Sequence, residues 1–193
     1  MILGSLCLGL TRLMTGVRIE SSGTVPQRIY CANHASHFDA LLLLATLPND
    51  TRKQTRPVAA SDYWTKGLIR RFLTLRVFRA LLIDRQPQGL NPLSDVFAAL
   101  RRGDSILWFP EGKRGPGRTL QPLKAGIYYL AKAFPHVEIV PVHISGSHLL
   151  LPKGARLPHP SPCKVRTGPP LRFNGEDQQL FLERLRSAME QLA

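Results

Sequence analysis

The chain has 193 residues, 44% of them apolar, which is enough to bury one domain core and excludes intrinsic disorder. Lys and Arg outnumber Asp and Glu by 26 to 13, a formal charge of +13, carried as 12 against 6 over residues 1–100 and 14 against 7 over the remainder. A basic tail is therefore excluded as the source, and a polyanionic partner is favoured: nucleic acid, an anionic membrane, or a phosphorylated or CoA-type substrate.

The apolar start, Met1–Leu10, stops at Thr11 and Arg12. That is short of the ~20 residues that span a bilayer, and no charged segment precedes it as in a signal peptide. Residues 1–17 instead predict an amphipathic helix with Leu3, Leu6, Leu10 and Leu13 on one face, suited to core packing or to membrane docking. Residues 18–193 are read as the main domain. Within it Gln27–Ala32 predicts a strand and Phe38–Leu47 a helix. Arg56–Ala60 reads as a short strand, Asp62–Phe72 as a helix capped by Ser61 or Asp62, and Ala80–Asp84 as a strand. Asn91–Arg102 predicts a helix stopped by Gly103, and Ser105–Phe109 a buried strand that runs into the Pro/Gly-rich loop Pro110–Pro122. Leu123–Phe134 predicts a helix. Glu138–Ile144 predicts a strand whose internal Pro141 points to an edge or a bulge. Lys164–Gly168 and Leu171–Phe173 suit a late strand or hairpin. Asn174 is placed to cap a last helix, Glu176–Leu192, with Phe181, Leu185, Ala188 and Leu192 in one stripe. Strands alternate with helices, so the expected fold is α/β: a single domain with a mostly parallel central sheet flanked by helices. In such sheets ligands bind beyond the carboxyl ends of the strands. The polar motifs here follow apolar strands directly.

The first motif is Asn33-His34-Ala35-Ser36-His37-Phe38-Asp39. A carboxylate that accepts a proton from one imidazole nitrogen fixes the tautomer and leaves the other nitrogen free to take a hydroxyl proton. On a regular helix five residues turn by about 500°, so His34 and Asp39 would point apart. They can meet only if His34 lies in a loop and Asp39 in the first turn of the following helix. Other readings of the same residues stay open: a metal site of His34, His37 and Asp39, or a structural histidine with Asp39 as a helix cap. Ser36 suits a local backbone hydrogen bond better than a nucleophile.

The second motif is Phe109-Pro110-Glu111-Gly112-Lys113-Arg114-Gly115. Glycines after a buried strand let backbone N–H groups approach an anion, and Lys113, Arg114 and Arg118 add positive charge. Glu111 can bond a hydroxyl or orient an arginine. Neither the Walker A nor the GxGxxG order is present. A solvated basic turn would carry the same residues.

Together these motifs resemble those of the glycerolipid acyltransferase family, which includes the 1-acyl-glycerol-3-phosphate acyltransferases. Asn33–Asp39 is similar to the NHxSxxD box. Phe109–Arg114 is similar to the FPEGTR box except at Lys113, where threonine is usual. Leu82-Ile83-Asp84-Arg85 and Ile139-Val140-Pro141-Val142 resemble the second and fourth family blocks, in family order, so that the resemblance covers roughly residues 28–150. It implies a glycerol-3-phosphate acyltransferase-like fold and transfer of a fatty acyl group from acyl-CoA or acyl carrier protein to a lysophospholipid hydroxyl. The default acceptor is 1-acyl-sn-glycerol-3-phosphate, giving phosphatidic acid in phospholipid biosynthesis. It further implies His34 as the base and Asp39 as its orienter, with Asn33 and Ser36 in support. Arg85, Glu111, Gly112, Lys113 and Arg114 would hold the acceptor, and Pro141 would shape the site or an acyl-chain tunnel. No covalent intermediate, cofactor, metal or nucleic acid is implied. Lys113, Gly115 (usually serine) and Arg79 (often glycine) depart from the family pattern. A second class of function, a non-catalytic basic module for membrane or nucleic acid, fits the charge but not the two boxes.

An enzyme on lysophospholipids needs a docking surface. Residues 63–82 contain Lys66, Arg70, Arg71, Arg76 and Arg79 with no acid, interleaved with Tyr63, Trp64, Phe72 and Phe78. That mixture favours an anionic interface, so the expected location is peripheral, on the cytoplasmic side of a membrane. Cys7, Cys31 and Cys163, widely spaced and without metal-ligand spacing, fit that reducing side.

Overall fold

The fold follows from a computed structural model, which describes residues 2–18, 25–61, 72, 75–76, 78–83, 92–117, 119–150 and 158–193. Among these residues the elements are α1 (Ile2–Thr15), β1 (Arg28–Ala32), α2 (Asp39–Thr46), α3 (Asn49–Gln54), β2 (Thr55–Ala60), β3 (Leu81–Ile83), α4 (Ser94–Arg101), β4 (Ser105–Trp108), α5 (Gly126–Ala133), β5 (Glu138–Ser145), α6 (Ser147–Leu150), β6 (Lys164–Thr167) and α7 (Gln178–Glu190). The helix expected over Asp62–Phe72 lies outside the described residues except for Phe72.

The six strands form one sheet in the order β3-β2-β4-β1-β5-β6. β3, β2, β4, β1 and β5 run parallel, and β6 is antiparallel to β5. Helices cover both faces, and that explains why the interior strands are apolar at successive positions rather than at alternate ones. Ile29, Cys31, Ile106, Trp108 and Ile139 point to the face packed by α4, α5 and α7. Tyr30, Ala32, Leu107, Val140 and Val142 point to the opposite face, packed by α1 and α2. The alternation is the period of two that a pleated strand imposes.

Pro141 corrects one expectation. Its strand is not an edge: β5 lies between β1 and β6. The expected bulge occurs in the facing segment instead. Val142 pairs with Thr167, but Ile139 bridges Leu171, so Gly168-Pro169-Pro170 holds one residue more than the stretch it faces. Gly168 donates its N–H to the Pro141 carbonyl at 2.9 Å. The last helix is also corrected. Its cap is Asp177, which accepts from the Leu180 N–H at 3.0 Å, not Asn174, and its buried stripe is Phe181, Leu185 and Met189.

α1 packs on α2 through Leu8, while Arg12 donates from Nε to the Ala45 carbonyl at 2.9 Å. Leu6, Leu10 and Leu13 of the predicted stripe face outward, with Leu13 83% exposed. These three leucines therefore do not enter the core, and the Leu3 side chain lies outside the described residues.

Candidate functional site

β1 and β4 are neighbours in the sheet although 77 residues separate Arg28 from Ser105, and their register sets Cys31 beside Trp108. The residues that leave the two carboxyl ends, Asn33-His34 and Phe109-Pro110, are thereby brought together. This juxtaposition assembles the site.

After β1 the chain leaves the sheet, and α2 starts at Asp39. His34 therefore lies in a loop and Asp39 in a first helical turn, the arrangement the spacing demands. His34 Nδ1 stands 2.9 Å from Asp39 Oδ2. The same Oδ2 accepts the backbone N–H of Ala35 and of Ser36, each at 2.7 Å. Three hydrogen bonds thus converge on one oxygen of a carboxylate that is fully buried, against 20% exposure for the His34 side chain. Carboxylate oxygens only accept, so in the neutral imidazole this contact assigns the proton to Nδ1 and the lone pair to Nε2. The imidazole also stacks on Phe109, with centroids 4.1 Å apart and the planes at 21°. Among the described residues no group of three or more His, Cys, Asp or Glu side chains gathers as a metal shell would require. Ser36 is buried; its Oγ accepts from the Phe38 N–H at 3.3 Å and its carbonyl from the Asp39 N–H at 3.2 Å, the local role expected of it. Asn33 clamps the strand end. Its Nδ2 donates to the Ile144 carbonyl at 2.9 Å, and its Oδ1 accepts the Ile144 N–H at 2.6 Å.

Glu111 is 2% exposed and turned inward. Its Oε1 accepts the His34 N–H at 2.6 Å, and its Oε2 the Gln121 N–H at 2.9 Å. Burial pushes its carboxyl above the ordinary carboxylate range, while these two N–H bonds pull the other way. Both oxygens accept backbone N–H groups, and the side chain fastens the loop to the His34 peptide. Gly115 N–H to the His34 carbonyl, at 2.7 Å, ties the loop a second time. Gly112 adopts φ +69°, a left-handed conformation that a side chain disfavours. Pro141 does not line the cavity. Arg85 lies outside the described residues, as do Lys66, Arg70, Arg71 and Arg118.

His34 opens into a cavity of about 1450 Å³, larger than the ~300–1,000 Å³ of ordinary small-ligand sites. Its walls straddle the carboxyl edge of the sheet. Phe38, Leu41 and Leu44 line it on the α2 side; Leu93, Phe97, Trp108 and Gly126 line it on the α4 and α5 side. Lys113 and Arg114 line the same cavity and are exposed, and no carboxylate among the described residues pairs with them. The apolar lining was not legible in the sequence as a site, because it comes from separate elements that carry no motif.

The comparisons with known proteins agree with this geometry. The family model described as "Acyltransferase" matches residues 17–145. A 1-acyl-sn-glycerol-3-phosphate acyltransferase of Limnanthes alba is 30% identical over 174 residues, covering 87% of this chain and 59% of that protein. The 1-acyl-sn-glycerol-3-phosphate acyltransferase alpha of Homo sapiens is 28% identical over 189 residues, covering 92% and 64%. The chain thus spans about three fifths of the length of these curated relatives. In fold it is similar to the 1-acyl-sn-glycerophosphate (LPA) acyltransferase PlsC of Thermotoga maritima, with a TM-score of 0.72 at 22% identity over 98% of this chain and 76% of that one. Because the family match covers most of the chain and contains both motifs, the protein belongs to the glycerolipid acyltransferase family.

Proposed function

We propose that the protein transfers a fatty acyl group from a thioester donor, acyl-CoA or acyl carrier protein, to the free hydroxyl of a lysophospholipid, foremost 1-acyl-sn-glycerol-3-phosphate, giving phosphatidic acid. The observation that carries this reading is the buried Asp39 carboxylate on His34 Nδ1, with the opposite edge of the imidazole facing a lipid-sized cavity beside unpaired cations. His34 Nε2 takes the proton of the acceptor hydroxyl as its oxygen attacks the thioester carbonyl. Asp39 holds the tautomer and stabilises the imidazolium that forms. The tetrahedral intermediate collapses, the C–S bond breaks, and the thiolate takes the proton back from His34. Acyl ester and free thiol are the products, and no residue of the chain is acylated. Lys113 and Arg114 engage the phosphate of the acceptor, the guanidinium being shaped for two oxygens at once. In this reading Arg85 adds to them.

The test is His34→Ala, assayed by thiol release with acyl-CoA and 1-acyl-sn-glycerol-3-phosphate. Loss of a general base lowers kcat by about 10²–10⁴-fold. Full activity in that variant would sink the dyad.

No helix among the described residues is long and apolar enough to cross a membrane. In our reading the exposed leucines of α1, with exposed Phe72, Leu75, Arg76 and Arg79, dock the enzyme on an anionic membrane surface, on its cytoplasmic side.

A further inference from the structure

We infer that Lys124, anchored by its backbone on the Pro110–Gly112 turn, binds the phosphate of the acceptor; the inference rests on the activity proposed above. Lys124 belongs to neither sequence motif and lies between the second motif and α5. Its backbone N–H donates to the Pro110 carbonyl at 2.7 Å, which pins it against the Pro110–Gly112 turn. Its side chain then runs across that turn. Cγ and Cε pass 3.4 and 4.0 Å from where a Cβ on Gly112 would stand. The left-handed backbone is what calls for the glycine, and the lysine methylenes lie over it at van der Waals distance.

Lys113, Arg114 and Lys124 are all exposed, so their charged ends are open to a ligand. Lys124 lines the same cavity as the other two and as His34, and no carboxylate among the described residues pairs with it. Glu111, the acid nearest in sequence, has both oxygens on backbone N–H groups. Lys113, Arg114 and Lys124 therefore line one cavity with His34, with no carboxylate among the described residues to neutralise them. A phosphate dianion supplies the charge and the acceptor oxygens that such a cluster lacks. A lysine whose methylenes are laid along a fixed turn loses less conformational freedom on binding than a free one.

The experiment compares Lys124→Met and Lys124→Arg with the unsubstituted protein. Acyl transfer to 1-acyl-sn-glycerol-3-phosphate is followed with acyl-CoA and with a phosphate-free acyl-N-acetylcysteamine thioester. Binding of that acceptor and of phosphate-free 1-monoacylglycerol is measured by calorimetry. We expect Lys124→Met to lower kcat/KM for the phosphate-bearing acceptor by about 10–100-fold, chiefly through KM and equally with both donors. Its Kd for that acceptor should weaken by the same factor, with the Kd of monoacylglycerol unchanged and most of the loss restored in Lys124→Arg. An unchanged KM, equal weakening for both acceptors, or a loss confined to acyl-CoA would each overturn the assignment. If the unsubstituted protein acylates neither acceptor, the proposed activity fails, while the calorimetry still decides Lys124.

Discussion

A single oxygen, Asp39 Oδ2, organises the reacting end of this site. It accepts from two successive backbone N–H groups and from the His34 ring. The loop 34–36 is thereby wrapped round the carboxylate, so the imidazole is set by backbone as well as by its own rotamer. A second residue shows the opposite situation. Arg79 has φ +51°, the one left-handed non-glycine among the described residues. It stands where the family's second block often has glycine, and the backbone supplies the reason. An L-residue in that region costs about 1–2 kcal/mol. The comparison that isolates this cost is Arg79→Gly against Arg79→Ala, both of which remove the same exposed side chain. The glycine variant should be the more stable by roughly 1 kcal/mol, after the greater unfolded-state freedom of glycine is subtracted. Urea midpoints in the reverse order would contradict the strain at this position.

At the scale of elements, three expected helices stand in place and differ only at their ends. Phe38–Leu47, Asn91–Arg102 and Leu123–Phe134 were each expected one to three residues too long at one end or both, because propensity says little about the first and last turns. The short α3 and α6 had no periodic pattern long enough to reveal them. α5 illustrates how one element shapes the cavity. It begins at Gly126, where a Cβ would stand 2.9 Å from the Trp108 indole that forms part of the wall. Trp108 is only 6% exposed, so its ring has little room to retreat. Gly126→Ala therefore sets overpacking of about 1–3 kcal/mol against a helix-propensity gain of at most about 1 kcal/mol, less at a helix start. We expect a net loss, read as a fall of a few degrees in the thermal midpoint. An unchanged or raised midpoint would mean that the indole moves freely.

At the scale of the molecule, charge and the outward leucines of α1 act together. Leu6, Leu10 and Leu13 are exposed while Leu8 and Thr11, on the other side of the helix, are buried. The docking proposed above predicts that pelleting with vesicles rich in anionic lipid weakens steeply as salt rises, because each basic residue near such a surface contributes about 1 kcal/mol that ions screen. Replacing Leu10 and Leu13 together by Glu should weaken it further and leave the fold intact, since both side chains face solvent. Pelleting indifferent to salt, to lipid charge and to that double substitution would remove α1 from the membrane.

Read alone, the amino-acid sequence determined the α/β class, the apolar strands and the two polar motifs that follow them. Each of these is a local pattern of period, cap or turn. It also determined that His34 and Asp39 could meet only across a loop-to-helix junction, because helical geometry forbids the alternative. Tertiary structure alone decided that the two motifs share one site, since adjacency of β1 and β4 is a property of strand order, which no local pattern records. It alone turned Glu111 inward to backbone donors and laid Lys124 over Gly112. The direction of a side chain is set by what packs around it, and those neighbours lie far away along the chain.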